Sequence, residues 1–156
     1  MELLARVRTC LFLERDVEQA AHFYVSLLPD SRIDNVVRPD PNGPALVVEF
    51  SLGGAPFMML AGNPEAQSTH TFSISVLTDD QAETDRLWDA LCADGGEPGR
   101  CGWLRDRFGV HWQVVPEALP RLMSSDDPEQ GRRVQEALFT MGRIDVAELE
   151  KAAQGD

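Results

Sequence analysis

Cys101-Gly-Trp-Leu-Arg-Asp-Arg-Phe-Gly-Val-His-Trp-Gln-Val-Val-Pro116 reads as two short strands around a turn. Cys101 to Arg105 forms the first strand and Val110 to Val115 the second. Asp106 to Gly109 is the turn, where Gly109 is free to take a positive φ. Pro116 ends the second strand because it cannot donate a ladder hydrogen bond. Side chains alternate along a strand, so Val110, Trp112 and Val114 share one face and read as core. His111, Gln113 and Val115 share the other face, where a ligand can meet a histidine and a glutamine.

The sequence before this stretch prepares it. Thr71 to Leu77 alternates as a strand, with Thr71, Ser73 and Ser75 against Phe72, Ile74 and Val76. Asp80 and Glu83 have the spacing of a capping box, which predicts a helix over about 81–93 carrying Leu87, Trp88 and Leu91. Gly95-Gly96 ends it.

The same order stands once already in the chain. Residues 5–14 read as a strand, and Asp16 with Gln19 as a capping box. A helix over about 17–28 carries Val17, Ala20, Tyr24 and Leu27. Strands follow at 32–38, 45–52 and 56–61, the last two joined by a Gly53-Gly54 hairpin turn. Gly62-Asn63-Pro64-Glu65 is a breaker cluster between the halves. When the halves are overlaid, Asp16 falls on Asp80, Phe23 on Leu87, Tyr24 on Trp88 and Leu27 on Leu91. An internal repeat of this kind predicts two βαβββ units. The expected fold class is α+β, with two curved sheets enclosing a cavity.

Past residue 117 the pattern changes. Asp127-Pro128 opens a helix with Val134, Ala137, Leu138 and Met141 as its apolar stripe. Asp145 and Glu148 cap a last short helix. The domain organisation read here is one domain over 1–116, with halves at about 5–62 and 69–116, plus a helical extension over 117–156. The extension can pack on its own domain or on a second subunit.

Bulk properties limit the partners. The chain has 156 residues and a formal charge of −12, which argues against nucleic acid and against anionic membrane surfaces. Its three cysteines are an odd number with no C-x-x-C pair, and read as free buried thiols in a reducing compartment. Met1-Glu-Leu-Leu-Ala-Arg6 has no apolar signal core, and no run approaches the roughly 18 apolar residues of a membrane span. A cytoplasmic protein is expected.

The paired βαβββ pattern, Phe23-Tyr24, Pro56-Phe-Met-Met-Leu60 and above all residues 101–116 resemble the vicinal oxygen chelate superfamily of glyoxalases, bleomycin-resistance proteins and extradiol dioxygenases. Within it the chain resembles the PhnB-like branch, whose domains are called 3-demethylubiquinone-9 3-methyltransferase. The resemblance spans about residues 5–150. Nothing in the chain resembles a methyl-donor site. Metal-using members place a ligand on the first and last strand of each half, which puts Thr9, Met58, Thr71 (with His70 one residue off) and Gln113 at those positions. A threonine, a methionine, a threonine and a glutamine make a poor set for a divalent metal, so neither metal nor cofactor is expected.

The candidate cavity residues are Thr9, Met58, Thr71, Ser73 and Gln113 by strand parity, joined by Glu49, Trp103 and His111. Glu49 shares a face with Val47 and Ser51, and is either a cavity carboxylate or an ion-paired strand residue. His111 is either a general base or anion-binding group at the cavity mouth, or a strand-end histidine in water. Trp103 stacks on a flat ligand or packs. His70, after Gln67-Ser68-Thr69, reads as a surface cap, and His22 as a solvated helix position.

These residues describe a mildly polar pocket for a neutral or amphiphilic organic molecule. The expected function is a metal-free small-molecule binding protein, sequestering a toxic or antibiotic-like compound as bleomycin-resistance relatives do. The alternatives are a metal-dependent lyase, isomerase or dioxygenase drawing ligands from Gln113, Glu49, His111 and His70, and a partner-binding module acting through the tail. The resemblance, with the unassigned tail stripe, implies a homodimer.

Overall fold

Runs of β-branched and aromatic residues alternating with capped amphipathic segments produce the expected order twice. The computed structural model describes residues 5–67 and 69–155. The N-terminal reading of residues 1–4 and the place of Ser68 lie outside the described residues. The chain divides into two compact units, Met1–Gln67 and Ser68–Asp156.

The N-terminal unit runs β1 (Thr9–Leu13), α1 (Val17–Leu27), β2 (Arg32–Val37), β3 (Val47–Leu52) and β4 (Ala55–Ala61). Its sheet has the order β1-β4-β3-β2, with β1 parallel to β4 and the other pairs antiparallel. The C-terminal unit begins with β5 (Ile74–Thr78), α2 (Gln81–Cys92), β6 (Glu97–Pro98), β7 (Trp103–Arg105) and β8 (His111–Pro116). Its sheet has the equivalent order β5-β8-β7-β6, and β5 is again parallel to β8. The repeat legible in the sequence is therefore a repeat of topology.

Each helix covers one face of its own sheet. In the first unit Val17, Ala20, Ala21, Tyr24 and Leu27 of α1 are buried, as are Leu11, Val48, Phe50, Phe57 and Met59 on the sheet. In the second, Thr84, Leu87, Trp88 and Leu91 of α2 are buried, as are Leu104, Trp112 and Val114. Burying a side chain of this size contributes roughly 1.5–3 kcal/mol.

The two helix starts differ. Asp80 is extended, and its Oδ1 accepts from the Glu83 amide at 2.8 Å. Glu83 in turn accepts from the Asp79 amide, one residue earlier than in the usual box. Asp16 instead takes a left-handed conformation (φ 60°) and makes no capping bond, so the box expected at Asp16 and Gln19 does not form. Capping needs an extended residue whose side chain turns back on the first amides. The strand expected from Cys101 also starts later. Cys101 (φ 58°) and Gly102 (φ 83°) form a left-handed turn, and β7 begins at Trp103.

The tail is part of the C-terminal unit and packs on that unit rather than standing apart. A helix not foreseen, α3 (Ala118–Met123), follows β8 directly, and α4 (Pro128–Leu138) and α5 (Val146–Gln154) follow it. Leu122, Val134, Ile144 and Leu149 form their shared core. Gln81 ties α5 to α2: its Nε2 donates to the Ile144 carbonyl and its Oε1 accepts from the Val146 amide. Among the described residues no helix is long and apolar enough to cross a membrane.

Candidate functional site

Strand register decides which side chains share a face, because hydrogen-bonded neighbours across a sheet point the same way. In the N-terminal unit, Cys10 pairs with Met58, Met58 with Glu49, and Glu49 with Asn35. These four stand on the face away from α1. Thr9 pairs with Phe57, and Phe57 with Phe50, so Thr9 stands on the helix side with the core. The expectation that Thr9 and Met58 line one face is thereby corrected. The strand begins one residue out of phase with the expected parity, and Cys10 takes the position assigned to Thr9. The thiols are free as expected, but Cys10 is exposed and Cys92 and Cys101 are only half-buried.

Glu49 is buried and ion-paired. Its Oε1 accepts from Arg8 and its Oε2 from Asn35 at 3.0 Å. The Asn35 amide, then the Arg8 guanidinium, hold its carboxyl below the usual range, against the opposing effect of burial.

In the C-terminal unit the face away from α2 carries Ser75, Gln113 and Trp103 in register, with His111 beside Arg105 and Arg105 beside Glu97. Thr71 and Ser73 precede β5, which starts at Ile74 rather than Thr71. Ser73 still meets the site: Gln113 Nε2 donates to its Oγ at 2.9 Å. Thr71 is exposed in the preceding turn.

His111 is buried, not in water at a strand end. Its ring lies 4.4 Å from that of His70, and the His70 ring is 6.1 Å from Trp103. His70, read from sequence as a surface cap, is thus the residue that joins Trp103 to His111. Burial pushes the His111 imidazole below the ordinary histidine range, and His70 and Arg105 push the same way. The Thr69 backbone and Asp106 oppose them.

A cleft of about 750 Å³ lies along β6 and β7, lined by His70, Glu97, Arg100, Trp103, Arg105 and His111 among others. The cleft thus unites Trp103 and His111 of the expected set with His70. Arg105, Arg100 and Glu97 were missed. Arg105 was within reach of the sequence, because it alternates with Trp103 and must share its face.

Asp106 was read only as a turn residue. It is buried, its Oδ1 accepts from the Phe108 and Val110 amides, and its Oδ2 accepts from Trp112 Nε1 at 2.8 Å. One carboxylate therefore shapes the β7–β8 turn that presents both Trp103 and His111.

The positions where metal-using members carry ligands do not suit a divalent ion here. Thr9 faces the core and leaves the lone Cys10 thiol beside the Met58 thioether, Thr71 lies outside the strand and the Gln113 amide is bonded to Ser73. Among the described residues, no three His, Cys, Asp or Glu side chains are grouped to hold a metal.

The comparisons agree with this architecture. The family model described as 3-demethylubiquinone-9 3-methyltransferase matches residues 5–115. The chain is similar to a structure titled a putative 3-demethylubiquinone-9 3-methyltransferase, PhnB protein, from Bacillus cereus. The identity is 29%, over 72% of this chain and 99% of that one, with a TM-score of 0.65. Protein PA1353 from Pseudomonas aeruginosa is 22% identical over 72% of this chain and 98% of its own, with a TM-score of 0.59. The fosfomycin resistance protein FosX from Listeria monocytogenes is 14% identical over 75% of this chain and 94% of its own, with a TM-score of 0.56. The last two show the fold alone. No curated protein matches the chain. The chain belongs to the 3-demethylubiquinone-9 3-methyltransferase family, within the PhnB-like branch of the vicinal oxygen chelate superfamily.

Proposed function

We propose that the protein binds a small organic molecule without a catalytic metal, and that it sequesters a toxic or antibiotic-like compound. The observation that carries this reading is the cleft of about 750 Å³ where Trp103, His70 and His111 meet. Its size lies within the range of small-molecule sites, and it combines aromatic faces with a few oriented polar groups. Two of the candidate metal donors favour the metal-free form of the reading, because they are already engaged: Glu49 is held by Arg8 and Asn35, and Gln113 by Ser73. The methyl transfer named in the family's title forms no part of the proposal.

The test is metal content, measured on protein purified without chelator or affinity metal, followed by thermal unfolding with a panel of aromatic and amphiphilic compounds. The expected result is substoichiometric metal and a raised melting temperature with at least one compound, since a ligand of the native state stabilises it by mass action. One equivalent of tightly held metal, lost in Gln113→Ala, would overturn the metal-free reading in favour of a metal-dependent lyase, isomerase or dioxygenase.

A further inference from the structure

The cleft of the C-terminal unit runs against the charge of the molecule. The chain as a whole carries −12, yet the cleft is lined by two guanidinium groups, Arg100 and Arg105, and one carboxylate, Glu97. Two imidazoles, His70 and His111, add no negative charge. Arg105 meets Glu97 through two bonds, Nη2 to Oε1 at 2.7 Å and Nε to Oε2 at 3.3 Å. That pair is open to solvent on both sides, and exposed pairs contribute little to stability. A carboxylate arriving with its own geometry can therefore take Glu97's place on the same planar fork. The indole of Trp103 and the His70 ring line the same cleft, 6.1 Å apart, and both are flat faces on which an aromatic ring stacks.

Resting on the binding reading above, we propose that this cleft selects a flat aromatic anion, with its ring against Trp103 and His70 and its carboxylate on the Arg105 guanidinium in place of Glu97. Amphiphilic compounds remain within the class, provided their polar end is an anion.

The test compares 2-naphthoate with its neutral isostere 2-naphthamide by isothermal titration calorimetry on the full chain. Naphthoate is expected to bind about threefold tighter, as a charge-assisted pair on a solvent-open fork implies. Arg105→Gln should abolish that preference, Arg105→Lys should retain part of it, and Trp103→Leu should weaken both probes. Glu97→Gln should strengthen naphthoate binding severalfold by removing the competing carboxylate, an effect that loss of folding cannot mimic. Equal affinity for the two probes, unchanged by Arg105→Gln, would overturn the anion preference and leave the binding reading standing. Binding of neither probe, to wild type or to Glu97→Gln, would overturn the cleft as a site altogether.

Discussion

Asp106 organises three donors with one carboxylate, two turn amides and the Trp112 indole. Removing it leaves buried donors without acceptors, which costs more than the net value of the bonds themselves. Asp106→Ala is expected to lose about 3 kcal/mol in urea unfolding. Trp112→Phe should cost less in the Asp106→Ala background than in the native chain, as expected for partners in one network. His111 makes a second prediction at this scale. Its folded basicity lies below the ordinary value, so the unfolded chain takes up the proton first. Stability is then unaffected well above about pH 6.5 and falls as the pH drops below it. His111→Gln should remove that part of the slope, read from urea midpoints between neutral and mildly acidic pH. A slope identical in the variant would assign the effect to other groups. Glu49 gives a slope of the same sign at lower pH. Its contribution is present above the ordinary carboxylate range and is lost as the pH falls through its depressed folded value.

At the scale of elements, the turn before β7 is where the tail joins its sheet. The Cys101 and Gly102 amides donate to the Met141 and Gly142 carbonyls, each at 2.8 Å, and Arg100 donates to the Phe139 carbonyl. Gly102 is required twice over. Its φ of 83° is strained for any residue with a Cβ, and that Cβ would lie 2.8 Å from both Ile144 Cδ1 and the Val114 carbonyl oxygen. Gly102→Ala is expected to cost at least about 2 kcal/mol. Hydrogen exchange should show α4 and α5 losing protection before β1 to β4 do. Uniform loss across both units would mean that the tail is not separately anchored at this turn. The cap difference between Asp16 and Asp80 also belongs here: the same residue type at equivalent repeat positions gives a cap only where the backbone is extended.

At the scale of the whole molecule, both sheets leave their first strand at an edge. β1 and β5 end their respective sheets, and each shows an apolar side chain to solvent, Phe12 at 47% and Leu77 at 64% exposure. Uncharged, apolar edge strands invite pairing with another chain. A homodimer is accordingly expected, and sedimentation velocity checks it. A dimer that Phe12→Lys shifts toward monomer would support pairing through β1, whereas a monomer throughout would remove the homodimer from the reading.

The sequence by itself determined the α+β class, the duplicated βαβββ order, the spans of α1 and α2, and the helix N-caps at Asp80, Asp127 and Asp145. Each depends on residues close along the chain, where periodicity and cap chemistry act. The family was legible for the same reason, in one continuous stretch. Strand phase was not legible at Thr9, nor was the late start of β5 after Thr71, because a strand's extent and faces are set by its partner's register, and a shift of one residue exchanges its faces. Nor could spacing reveal that His70 meets His111, that Glu49 is claimed by Arg8, or that Cys101 leaves β7 for a left-handed turn. Those contacts join residues far apart in the chain or depend on a backbone angle, and only tertiary packing decides them.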